Sequence, residues 1–65
     1  MGYSYESLSK MLDGEEWILS KNEYGEDVNI SRHDGYVLTM TFQFDGWIRK
    51  NYYYDDGVVE ESFKC

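Results

Sequence analysis

The sequence predicts an α+β fold: a short N-terminal helix packed on one face of a four- to five-stranded antiparallel meander sheet. Three observations carry this expectation. Tyr36 to Phe44 alternates strictly, with Tyr36, Leu38, Met40, Phe42 and Phe44 on one side and Val37, Thr39, Thr41 and Gln43 on the other. That period of two, in aromatic and β-branched residues, is a strand signal. Asp34-Gly35 and Asp45-Gly46 bracket the run, and Asp-Gly dipeptides suit the positive φ angles of hairpin turns. Ahead of it, Tyr5, Leu8, Met11 and Leu12 recur at helical spacing.

Ser4 is placed to cap the helix, Glu6 sits in the first turn where the dipole favours an acid, and Gly14 follows the last apolar residue. A helix of about ten residues does not persist alone in water, so its stripe must dock on the sheet. Residues 15–21 read as the first strand and residues 22–26 as a turn. Asp27 to Arg32 follows as the second strand, with Val28 and Ile30 inward. The alternating run is the third strand, Trp47 to Tyr54 the fourth and Val58 to Phe63 the fifth, with short connections throughout. The first and fifth strands are then the sheet edges, each able to pair with a second copy.

Register follows from keeping one face apolar. A three-residue loop at His33-Asp34-Gly35 sets Ile30 opposite Leu38 and Val28 opposite Met40, whereas a two-residue Asp34-Gly35 turn pairs Ile30 with Thr39. The bulged loop is preferred. Phe44 then lies near Ile48, Met40 near Tyr52 and Leu38 near Tyr54, with Trp47 in the turn. A two-residue turn at Asp56-Gly57 sets Val59 opposite Tyr54 and Phe63 opposite Lys50. The helix is expected over Leu38, Met40, Phe42, Tyr52 and Val59.

Size and composition bound the function. A chain of 65 residues, read as one domain over 1–65, is near the lower limit for a single unaided core. Apolar residues at 42% and aromatics at 18% argue against disorder, and so little core leaves no room for a deep substrate site. Thirteen acids against six bases give a net charge of −7. That disfavours direct nucleic-acid binding and an anionic membrane surface, and favours solubility and attraction to a basic protein surface. Cys65 is the single cysteine, so no internal disulfide forms and a reducing cytoplasm is expected. The N-terminus shows no signal-peptide pattern, Met1-Gly2 lacks the Ser or Thr of a myristoylation motif, and no apolar run approaches spanning length.

No catalytic or cofactor motif is present. His33 stands in a turn with no Ser or Cys placed as its nucleophile partner, and Cys65 at a terminus lacks the held surroundings that activate a thiol. Asp55, Asp56, Glu60 and Glu61 do not follow the spacing of a calcium loop. Arg49-Lys50 lies among Trp47 and Tyr52 to Tyr54, a combination that can bind single strands, but cross-strand pairing with Glu60 or Glu61 accounts for it more simply. No enzyme, cofactor or metal site is therefore expected.

The meander gives the acids a geometry. Successive turns alternate between the sheet ends, which places Glu23, Glu26, Asp27 and Asp45 at one end. Asp13, Glu15, Glu16, Asp34, Asp55 and Asp56 fall at the other, with no base. A rigid rim of carboxylates can imitate a row of phosphates and attract a groove lined with Lys and Arg. Turns favour aspartate in any case, so solvation is the competing account of the rim. Tyr24, Trp47 and Tyr53 are candidate aromatic anchors beside it. The expected partner-binding set is Asp13, Glu15, Glu16, Asp34, Asp55, Asp56, Glu60, Glu61 and Tyr53.

With its small size, aromatic-rich strands and acid clusters such as Asp55-Asp56 and Glu60-Glu61, the chain resembles the small acidic anti-CRISPR proteins of phages and mobile elements. It looks most like the type I-C inhibitors, a helix against a small antiparallel sheet. The resemblance covers general character and transfers no individual residue role. It implies steric and electrostatic blocking of DNA binding by a CRISPR surveillance complex in a bacterial cytoplasm, while the open sheet edges suit a monomer or weak homodimer. An immunity or antitoxin protein that neutralises a basic nuclease toxin would use the same surface physics and is the alternative.

Overall fold

A computed structural model describes residues 2–65. Met1, which enters only the lipidation reading, lies outside the described residues. The order is α1 (Tyr5–Leu12), β1 (Trp17–Lys21), β2 (Asp27–His33), β3 (Tyr36–Phe42), β4 (Trp47–Tyr54) and β5 (Gly57–Lys64). The strands form one antiparallel sheet in sequence order, with β1 and β5 at its edges. The α+β meander expected from the sequence is the fold observed.

Helix α1 starts where its cap dictates. The Ser4 hydroxyl accepts from the Ser7 amide at 3.1 Å, and the Ser7 hydroxyl accepts from the Ser4 amide at 2.9 Å. This is a capping box with serine standing where glutamate is usual. At the other end Asp13, rather than Gly14, first turns left-handed, with φ 48°. Gly14 follows at φ 86°, and the Glu15 amide bonds back to the Leu12 carbonyl at 2.9 Å. Leu8 and Leu12 are fully buried against β2 and β3. With Val28, Ile30 and Val37 they make the core, flanked by Tyr3, Tyr5, Ile18 and Tyr53.

The register differs from the one expected. The β2–β3 connection is the two-residue Asp34-Gly35 turn, with Gly35 at φ 91°, and Ile30 pairs with Thr39 while Val28 pairs with Thr41. At the next hairpin Phe42 pairs with Ile48, Met40 with Lys50 and Leu38 with Tyr52; Trp47 opens β4 and Phe44 occupies the turn. The last hairpin turns at Asp55-Asp56, so Tyr54 meets Gly57, Tyr52 meets Val59 and Ile48 meets Phe63. These last two shifts are two residues each and leave faces unchanged. The first is a one-residue slip, which moves the whole β3 side-chain set to the other face.

The helix therefore covers Val37 and Thr39 and not Leu38, Met40 and Phe42. The cause lies in β1 and β2. Ile18, reached directly from the helix through residues 13–16, is paired with Ile30, and β2 has apolar residues on that side only. The β2 residues on the other side are Asp27, Asn29, Ser31 and His33. Val37, Thr39 and Thr41 are β-branched and pack well on such a surface. Thr39 is buried with the core as a result.

Two expectations follow. Leu12 is 0% and Met11 40% exposed. Leu12→Ala should cost about 2–4 kcal/mol in chemical denaturation and Met11→Ala under about 1 kcal/mol; equal costs would place the helix on a different stripe. Asp13 combines a left-handed backbone with a negative charge at the helix C-terminus. Asp13→Gly should stabilise by about 0.5–1 kcal/mol, a Tm rise of about 3–6 °C by calorimetry.

Candidate interaction surfaces

Six of the expected acids are carried to one end by the turns. Asp13, Glu15 and Glu16 form the α1–β1 connection, Asp34 the β2–β3 turn, and Asp55 and Asp56 the β4–β5 turn, all exposed. None of these carboxylates forms an ion pair or hydrogen bond among the described residues. The end is not free of base, contrary to the expectation. The Arg32 amide donates to the Glu16 carbonyl at 2.8 Å, one step beyond the last β1–β2 pair, so an arginine stands beside this rim. It makes no ion pair there among the described residues. The end stays strongly acidic.

Glu60 and Glu61 belong elsewhere. Both lie within β5, on opposite faces. Glu60 pairs with Arg49 at 3.2 Å, and Glu61 accepts from the Tyr52 hydroxyl at 2.7 Å with the Lys50 ammonium 4.0 Å away. Cross-strand neutralisation of Arg49 and Lys50 is thus present. Lys50 also stands 5.6 Å from the Tyr52 ring centre. Its hydrogen-bonding contact with Tyr52 raises its pKa above the ordinary lysine value, with Glu61 and Tyr36 adding and partial burial opposing. Lys50 is therefore fully charged at neutral pH, and any stability it lends is lost only as pH rises above the ordinary lysine range.

Tyr53 is not an exposed anchor. It points to the helix side, half-buried, edge-on to Tyr3 with ring centres 6.3 Å apart, and its hydroxyl accepts from the Asn51 amide at 3.2 Å. Tyr24 and Trp47 are exposed, at the opposite end from the six acids. There Asn22 organises the β1–β2 turn by accepting from the Tyr24 and Glu26 amides, each at 3.0 Å. Lys21 and Asp27 close it with an ion pair of 2.6 Å.

Two shallow grooves flank the helix. One of about 480 Å³ lies between Tyr3 to Glu6 and the β4–β5 turn, with Glu6 and Asp55 on its walls. The other, about 400 Å³, covers the part of the sheet beyond the helix and is lined by polar and apolar groups in equal measure, among them Tyr53, Thr41, Arg49 and Asn51, with Lys21 at the end of edge strand β1. Its two cations are already paired, with Asp27 and Glu60. No three His, Cys, Asp or Glu side chains converge to hold a metal among the described residues. No described helix is long and apolar enough to cross a membrane.

The face opposite the helix was not foreseen as a surface. The pairing lays its side chains in rows across the strands. One row runs Trp17, Ser31, Leu38, Tyr52, Val59. The next runs Leu19, Asn29, Met40, Lys50, Glu61, and the last Lys21, Asp27, Phe42, Ile48, Phe63. Near the acidic end Tyr36 stacks on His33, ring centres 5.0 Å apart, and lies 5.5 Å from Tyr54. Leu38 and Ile48 are shielded by their neighbours, while Trp17, Leu19, Phe42, Val59 and Phe63 stay exposed. The signal was the alternation itself: β3 is apolar at Tyr36, Leu38, Met40 and Phe42, yet its register hands the core to the intervening residues.

The geometry offers two separate recognition features, an acidic end and an apolar sheet face. No protein-family model matches the chain, and no curated protein or solved structure is significantly similar to it.

Proposed function

We propose that this chain is a non-catalytic inhibitor that binds a basic protein surface through its acidic end. In this reading it acts as an anti-CRISPR-type DNA mimic on the DNA-binding groove of a CRISPR surveillance complex. One observation carries the reading: six carboxylates on tight connections at one sheet end, none of them in an ion pair among the described residues. Asp13, Glu15 and Glu16 sit at or just past a helix C-terminus, the negative end of its dipole, where acids cost stability. Local helix stability does not select those three acids, which supports recognition over solvation for that part of the rim.

The strength of such a surface is modest per contact and large in sum. Each exposed carboxylate–guanidinium pair contributes roughly 0.2–1 kcal/mol, so six supply a few kcal/mol at most. Their larger effect is on encounter, where steering between opposite charges raises association rates by roughly 10–1,000-fold and is lost with salt. The partner must therefore present several Lys or Arg side chains in a row, as a DNA-binding groove does.

The test is target-DNA binding by a purified type I-C surveillance complex in a gel-shift titration. The chain should block binding at low salt and less well at high salt. Reversing Glu15, Glu16, Asp55 and Asp56 to lysine should raise the half-inhibitory concentration by at least about tenfold with the circular dichroism spectrum unchanged. Reversing Glu23 and Asp45 at the other end should change it far less. Full inhibition by the folded four-site variant removes the DNA-mimic mechanism. No inhibition by the wild type, with neutralisation of a basic nuclease instead, transfers the same surface to an immunity protein.

A further inference from the structure

We infer that the sheet face opposite the helix is a homodimer interface, on which a second copy of the chain stacks its own open face to close a two-sheet sandwich flanked by the two helices. The face has the area of an interface. Five strands about 4.8 Å apart and about seven residues long at about 3.3 Å per residue give roughly 550 Å² of projected face per copy. A pair removes more than roughly 1,100 Å² from water, above the ~1,000 Å² that separates specific interfaces from incidental ones. Trp17, Leu19, Phe42, Val59 and Phe63 stand exposed on this face, and a large apolar surface left in water marks an interaction site.

Charge selects the occupant. The face carries Lys21 and Lys50 against Asp27 and Glu61, and these are paired with each other at 2.6 Å and 4.0 Å. The face is neutral, so the whole net charge of −7 resides outside it. A basic partner is drawn to the ends and gains nothing on this face. A second copy meets a surface as neutral and apolar as its own, and no charge is buried without its partner. The row of Phe42, Ile48 and Phe63 and the row of Leu38, Tyr52 and Val59 supply two apolar bands, with Met40 and the Lys50–Glu61 couple between them and the six turn acids left at a solvated perimeter. A two-fold arrangement with reversed strand directions keeps the two six-acid ends apart and leaves both free. The dimer is independent of the proposed inhibitory activity.

Sedimentation equilibrium over a concentration series tests this. The wild type should approach twice the 7.8 kDa chain mass, and more so at higher salt, since screening relieves repulsion between two acidic copies. Leu19→Thr, Phe42→Thr and Phe63→Thr together should weaken association by on the order of a hundredfold or more. All three residues are exposed, so the monomer core is spared. Val59→Thr alone, at a residue 57% exposed, should act in the same direction and guards against misfolding of the triple variant. Tyr24→Ser with Phe44→Ser, exposed but off this face, should change nothing. A wild type monomeric at all concentrations overturns the inference, even if it captures another protein or binds vesicles. So does a folded triple variant that dimerises unchanged, or a Tyr24/Phe44 variant that dissociates equally.

Discussion

The structure depends on one docking event, the packing of Leu8 and Leu12 across the face of β2 and β3. An eight-residue helix has no independent stability, and a meander with nothing on either face has no core. Each requires the other. Burial of the two leucines against Val28, Ile30 and Val37 creates the dry side of the sheet, and by exclusion it defines the other side as surface. Which β3 residues face the helix is therefore a decision with functional consequences. Had Leu38, Met40 and Phe42 gone under the helix, the outer face would have shown Val37, Thr39 and Thr41 and carried little affinity for anything.

Local and non-local parts of the fold were not equally legible in the sequence. The elements were legible, because alternation from Tyr36, helical spacing from Tyr5 and the Asp-Gly dipeptides are local signals. The distribution of acids between sheet ends was too, since it depends only on the order of turns in a meander. The register at Asp34-Gly35 was not, because β3 can bury either side: one carries Leu, Met and Phe, the other Val and Thr. The choice was made by Ile18, Val28 and Ile30, outside β3, and by the short path from the helix into β1. Tyr53 followed that slip to the helix side and ceased to be a surface anchor. Arg32 was missed as a neighbour of Glu16 because the β1–β2 ladder extends one hydrogen bond past its last pair.

The two surfaces impose opposite requirements. In the proposed function the acidic end acts by long-range attraction and weakens with salt, whereas the apolar face of the proposed dimer acts at contact and is opposed by net charge. They coexist because the chain segregates them: among the described residues the turns hold acids without ion-pair partners, while the strand carboxylates sit in cross-strand couples, Asp27 with Lys21, Glu60 with Arg49 and Glu61 with Lys50. The same segregation protects the sheet edges. β5 is exposed along its whole length and offers an unpaired ladder, but Glu60, Glu61 and Lys64 interrupt it, and repulsion between acidic ends discourages edge-to-edge growth. Association is steered from the edges to the face.

Stability and association are then one problem for a chain of this size. A 65-residue domain retains only a few kcal/mol once conformational entropy is subtracted. Here the helix buries five core residues while most of the large side chains on the outer face remain in water. Part of that margin is given up at Asp13, Glu15 and Glu16, where acids oppose the helix dipole. A second copy on the open face returns it by mass action, because anything that binds only the folded state adds to its stability. The acidic end can therefore carry more unpaired charge than an isolated domain of the same length would tolerate, and the apolar face is what makes that tolerable.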